Sequence, residues 1–171
     1  VKPPESRSSC HILFLPAWYP NRTDRQYANF IERQAQALTS CIKVSVLYPC
    51  PDRTMKGEAR QVDISDESGV RVFRIYYFPG SNALTKAFRY GKTVWSGYKI
   101  VKEQAGRPDL VHAHILTRAG VMARLIRMFW GIPYVISEHW SRYLPEHNTY
   151  RGVARKMLTR WAVRQAAALI A

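Results

Sequence analysis

Apolar positions along the chain follow two different periods. Short runs at residues 11–15 (HILFL), 42–48 (IKVSVLY), 70–78 (VRVFRIYYF), 109–114 (DLVHAH) and 133–137 (PYVIS) read as strands, several of them closed by proline. Between them, apolar residues recur at three- and four-residue spacing. Phe30, Ile31, Ala35 and Leu38 mark a helix over 26–40, and Ala119, Met122, Ala123, Ile126 and Phe129 mark one over 117–130. Residues 84–104 and 151–167 read as two further helices, both basic, and 168–171 begins another strand. Residues 1–9 form a polar lead expected to be disordered, and residues 52–69 and 142–148 are expected as surface loops. Strand and helix in alternation predict a Rossmann-like α/β domain: a parallel sheet of about six or seven strands, right-handed crossovers, helices on both faces.

In such sheets ligands bind beyond the carboxyl ends of the strands. His114 falls where the strand at 109–114 gives way to the next helix, which points to a ligand-facing imidazole. Loops after the strands at 11–15, 109–114 and 133–137 would meet at one rim. There they would gather Trp18, Tyr19, Arg22, Arg25, His114, Glu138 and His139.

Composition narrows the picture. A chain of 171 residues with 47% hydrophobic content is globular and suits one core. Three cysteines form no CxxC pair, and Cys10 and Cys41 flank apolar runs, so buried reduced thiols in a cytosolic protein are expected. Neither a signal peptide nor an apolar run of membrane-spanning length is apparent. The termini suggest a piece of a longer protein. The net charge of +14 favours phosphate-bearing ligands or anionic surfaces.

The rim residues exclude several chemistries. GxSxG, Walker A, GxGxxG and Asp-x-Asp motifs are all absent. Zinc would need three or four converging ligands, for which His112, His114, Glu138 and His139 are the candidates. Glu138 and His139 are neighbours and cannot both turn inward if their strand continues, so no metal is expected. A nucleic-acid module or a non-catalytic α/β ligand-binding module would also suit the charge. However, no nucleic-acid recognition motif appears, and no nucleic-acid partner is expected.

Residues 14–20 (FLPAWYP), 29–38 (NFIERQAQAL), 108–114 (PDLVHAH) and 131–140 (GIPYVISEHW) together resemble the N-terminal domain of family 4 glycosyltransferases, in the family's order and over nearly the whole chain. The resemblance implies one half of a GT-B fold over residues 10–171, with the donor domain absent. It implies retaining transfer from a nucleotide sugar, without a metal or other cofactor, to a glycan or lipid-linked acceptor. This half would be inactive alone. His114 would lie beside the donor sugar, and Glu138 and His139 would line the cleft floor. A Gly-Gly pair common in the family falls on Arg25-Gln26 here, where Arg25 would offer a guanidinium to the phosphates instead.

The charge has a further pattern. Lys86, Arg89, Lys92, Lys99 and Lys102 ride the helix from residue 84 against the single acid Glu103, and the helix from residue 151 carries no acid at all. Peripheral association with the inner face of a membrane is therefore expected, with Lys86, Arg89 and Lys92 facing anionic lipid and Trp95 or Tyr98 at the interface.

Overall fold

A computed structural model describes residues 10–57, 59–139 and 152–170. Seven strands form one sheet: β1 (His11–Pro16), β2 (Lys43–Pro51), β3 (Arg60–Glu67), β4 (Val70–Tyr77), β5 (Leu110–His114), β6 (Tyr134–Ser137) and β7 (Ala168–Ile170). Their spatial order is β3-β4-β2-β1-β5-β6-β7, and every pair is parallel except β3 with β4. Four helices connect them: α1 (Asn29–Leu38), α2 (Ala83–Ala105), α3 (Arg118–Trp130) and α4 (Val153–Val163). The doubly covered, mostly parallel sheet is the α/β Rossmann-like half of a GT-B fold that the sequence implies. Residues 1–9 and 142–148 lie outside the described residues.

β1, β2 and β4 divide their side chains between two cores, because successive residues point to opposite faces. Leu13, Leu15, Leu47, Phe73, Ile75, Val111 and Ala113 pack under α2 and α3. Phe14, Val44, Val46, Tyr48 and Val72 pack under Ile31 and Ala35 of α1. Burial on both faces explains why these strands read as nearly continuous apolar runs. Tyr134 ties α4 to the first core, its hydroxyl donating to the Ala162 carbonyl.

Local signals set the element ends. Asn82 caps α2, its side chain accepting from Thr85 N at 2.8 Å. Gly131 ends α3 in the left-handed conformation, φ 69°, which spares the steric cost a Cβ would incur. At the start of β5, Asp109 and His11 exchange two bonds of 2.8 Å: Asp109 Oδ2 accepts from His11 N, and Asp109 N donates to His11 O.

Three expectations are corrected. Residues 52–69 are not a loop throughout, because 60–67 form the edge strand β3. Ser68 and Gly69, both at positive φ, make the tight two-residue turn into β4. The sequence hid this strand because Asp63, Ser65 and Glu67 occupy its outward face and only Val62 and Ile64 are aliphatic. Cys10 and Cys41 are exposed; Cys50, near the end of β2, is the buried thiol. Tyr98 cannot reach a surface, since it is fully buried under the sheet, and Trp95 stacks on Trp130 at 4.2 Å instead of standing free.

Close helix-to-sheet contact at Gly97 supplies a stability test. A Cβ there would meet Ile75 Cδ1 at 2.5 Å and Leu47 Cδ1 at 2.6 Å, whereas at Gly91 the nearest atom is Met122 Sδ at 3.8 Å. Gly97→Val should therefore destabilise by about 1–3 kcal/mol through overpacking. Gly91→Ala should be neutral or stabilise by up to about 1 kcal/mol through helix propensity. Urea denaturation midpoints measure both; a Gly97→Val midpoint equal to wild type would mean that the core there yields freely.

Candidate functional site: an imidazole stack at the sheet rim

The register of the parallel strands lines up one set of strand ends. Pro16 pairs with His114, His114 with Ser137, and Ser137 with Ile170. Phe14, His112 and His114 alternate onto the α1 side of the sheet. There the His112 and His114 rings stack at 4.2 Å, with Phe14 against both at 4.8 and 4.7 Å. His139 extends the stack, 5.5 Å from His114 and nearly parallel to it at 13°. Phe30 of α1 braces His139 edge-on at 4.9 Å. The stack thus runs from the core outward: His112 and His114 are buried, and His139 is exposed.

Hydrogen bonds fix each ring. His112 Nε2 meets Ser137 Oγ at 2.8 Å, and His114 Nδ1 meets His139 Nε2 at 3.2 Å. His114 Nε2 is buried and has no partner. Burial, reinforced by the charge of neighbouring imidazoles, pushes the His112 pKa down to about 4 and that of His114 lower still. Burial also lowers His139, although Glu138 opposes the shift. His112 and His114 are therefore uncharged at neutral pH. A neutral imidazole with an unsatisfied nitrogen can donate or accept one directional hydrogen bond, according to its tautomer. Among the described residues no three His, Cys, Asp or Glu side chains converge as metal ligands. The rings lie face to face and do not point their nitrogens at one centre.

The backbone beside the stack is strained. Ile115, a β-branched residue, stands at φ 82°, a conformation costing on the order of 1–3 kcal/mol. The end of β6 holds it there: Ile115 N donates to Ser137 O at 2.8 Å, and Leu116 N donates to the Glu138 carboxylate at 2.9 Å. β6 stops at Ser137, so the continuing strand that would keep Glu138 and His139 from both turning inward is not there. His139 follows Ser137 on the face of the stack, and Glu138 also reaches the β5 end.

The remaining rim residues separate from the stack. Tyr19 is fully buried against Tyr48, with Arg74 over its ring, and does not reach the rim. Arg74 causes this. It donates to the Pro20 carbonyl at 2.8 Å and to both Glu67 oxygens at 2.6 and 2.9 Å, and so clamps the loop after β1 onto β4. Arg22 lies over the Tyr76 ring at 4.1 Å, donates to Gln61 at 2.7 Å and is ion-paired with Asp52. That arginine holds the Asp52 carboxyl well below the usual carboxylate range. Arg22 and Arg25 instead border a polar groove of about 480 Å³, shared with Glu32, Asp63, Glu67 and Arg74. Trp18 is half-buried, its ring 6.4 Å from Tyr27. On α2, Arg89 folds back over Phe78 and donates to the carbonyls of Phe78 and Gly57, while Lys86 is half-buried and Lys92 exposed. Sequence reading missed Phe30, Ser137 and Ile115; only the position of Ser137 at a strand end could have signalled a role.

The stack makes stability depend on pH. In the unfolded chain these imidazoles take up protons near pH 6.5, whereas buried His112 and His114 do so only at much lower pH. The unfolded state then binds more protons between pH 6.5 and 4, so stability is full above that range and is lost as pH falls through it. The loss is at most about 1.4 kcal/mol per pH unit for each group. His114→Asn, which cannot titrate, should flatten the decline in urea midpoint from pH 7.5 to 4.5. An unchanged slope would place the titration elsewhere.

Residues 27–171 match the family model described as a glycosyl transferase 4-like domain. Over 140 residues the chain is 28% identical to a Bacillus subtilis (strain 168) protein named as the teichuronic acid biosynthesis glycosyltransferase TuaC. That match covers 76% of this chain and 36% of the relative. Among solved structures, Aquifex aeolicus Era bound to GDP·AlF4⁻ aligns with 94% of the chain and 49% of its own. Its 7% identity and TM-score of 0.31 are too low to bear on fold or ligand. The family match spans most of the sheet, α1 and every residue of the imidazole stack, and on it this chain belongs to the glycosyl transferase 4-like family.

Proposed function

We propose that the chain is the acceptor-side half of a retaining, metal-independent transferase acting on a nucleotide sugar, in the synthesis of a lipid-linked or cell-surface polysaccharide. One observation carries the reading: a buried, uncharged imidazole with an unpaired Nε2 at the carboxyl end of β5, backed by His139 and by the strained Ile115 turn. The name of the TuaC relative supports a polysaccharide as the product. Since the chain spans about a third of that relative, a second domain would supply the nucleotide contacts.

The chemistry suits such a site. In retaining transfer the bond from the sugar's anomeric carbon to the diphosphate oxygen breaks, and the electron pair leaves with the diphosphate. The acceptor hydroxyl attacks from the same face, and its proton passes to the departing phosphate oxygen. This chain would contribute orientation: a neutral His114 holds a sugar hydroxyl without competing for that proton. Arg25, on the loop after β1, would meet the phosphates.

In the full-length enzyme, His114→Ala should lower kcat by about 10- to 1,000-fold, measured as labelled sugar transferred, and by more than His112→Ala does. Loss of activity in His112→Ala alone would move the role to the inner ring. The 171-residue chain by itself should give no turnover, and measurable transfer would rule out a site shared between two domains.

A membrane role has its own support. Leu84 and Phe88, one turn apart on α2, are 83% and 66% exposed beside Lys86 and Lys92, and α4 exposes Val153 and Met157. Among the described residues no helix is long and apolar enough to cross a membrane, so association would be at the surface. Co-sedimentation should favour anionic over neutral vesicles, weaken at high salt, and fall at least several-fold in Leu84→Ser/Phe88→Ser. Equal sedimentation with both vesicle types would remove lipid charge from the interaction.

A further inference from the structure

The N-terminal turns of α2 and α3 flank a cavity of about 320 Å³ at the carboxyl ends of β2 and β4, lined by Pro51, Arg53, Tyr77, Pro79, Lys86 and Arg118. Three of those residues are cationic and none is acidic. Elsewhere Arg22, Arg71 and Arg74 are neutralised by carboxylates, but Arg53, Lys86 and Arg118 form no ion pair among the described residues. Neither helix has an acid in its first turn, so the partial positive charge of both N-termini adds to that of the side chains. Concentrated, uncompensated positive charge in a concave site is a place for phosphate.

The cavity does not end there. Lys86 and Arg118 also line a trough of about 350 Å³ whose other walls include Ala83, Ala87, Val121, Met122 and Leu158, from α2, α3 and α4. Tyr90, 8% exposed, belongs to that trough, and its hydroxyl is buried without a partner. Tyr90 shares that trough with Lys86 and Arg118, the two residues that also line the basic cavity. Burial keeps its hydroxyl protonated and available as a donor. An inorganic anion would leave the apolar trough wet, and a neutral hydrocarbon would leave three cations unanswered. One molecule satisfies both halves.

We propose that the joined cavities bind a lipid phosphate, its phosphate among Arg53, Lys86 and Arg118 with the Tyr90 hydroxyl donating to it, and its hydrocarbon chain along the trough between α2, α3 and α4. The proposal deepens the transferase reading, on which it rests for the ligand's role as carrier of the acceptor. Arg118, four residues after His114, lines the basic cavity, so the phosphate sits at the same end of the sheet as the imidazole stack.

Farnesyl phosphate, farnesol and inorganic phosphate, each titrated into the purified protein by calorimetry, test it. Farnesyl phosphate should bind at least tenfold more tightly than either partial ligand. Lys86→Gln/Arg118→Gln should cost at least tenfold, Leu158→Asp a similar factor, and Tyr90→Phe about threefold. Far-UV circular dichroism identifies any variant that fails to fold, and Val121→Ser then replaces it on the apolar side. Equal affinity for inorganic phosphate would mean a free-phosphate site and overturn the proposal, as would equal affinity for farnesol. Wild-type binding by the Lys86/Arg118 variant, or retention on anionic vesicles with no binding of monomeric farnesyl phosphate, would also overturn it. The transferase reading fails separately: farnesyl phosphate then binds as described, yet neither a prenyl-phosphate-linked nor a free sugar accepts a glycosyl group.

Discussion

The end of β5 is held between β1 and β6, and this pairing puts three imidazoles where water cannot reach two of them. Desolvation disfavours the charged form of a histidine by several pKa units when burial is complete. Within a protein of net charge +14, the rim centre is therefore electrically quiet, and the positive charge lies around it. Neutral rings add no charge there while keeping their directional hydrogen bonds.

Holding the rings has a conformational cost that the neighbouring strand offsets. Ile115 occupies a backbone region that β-branched residues avoid, and it stays there because β6 supplies an acceptor at Ser137 and a carboxylate at Glu138. Glu138 thus holds the turn that follows His114. Strain retained beside an unsatisfied polar atom is typical of sites built to receive a ligand. His139, two residues after Ser137 and on the same face, extends the stack, so one strand end sets both the loop and the outer ring.

Across the sheet, arginines fall into two classes. Arg74 and Arg22 are structural: each bonds a carboxylate and lies over a tyrosine ring, and together they bind the β1 loop to the β3–β4 hairpin. Arg53 and Arg118, with Lys86, have no carboxylate partner among the described residues and gather at two helix N-termini. Charge used for folding sits at one edge of the sheet. Charge left for a ligand sits nearer its middle, next to an apolar trough and to the exposed side chains of Leu84 and Phe88.

Period and punctuation in the sequence determined the α/β class, the succession of parallel strands, and the placing of His114 at a strand's carboxyl end. Those follow from local physics: burial on both faces writes β1, β2, β4 and β5 as apolar runs, and an amphipathic helix writes its own spacing. Edge strand β3 was illegible, since a strand with one solvated face carries Asp63, Ser65 and Glu67 as readily as a loop does. Which candidates meet was likewise decided only by tertiary structure. Tyr19 and Arg22 look like rim residues until Arg74, more than fifty positions later, draws their loop onto β4. Glu138 looks like the far face of a strand until β6 stops one pair after Ile136 and its carboxylate meets Leu116 N. Side-chain direction at a strand end depends on where hydrogen bonding to a distant neighbour ceases, and no local pattern records that.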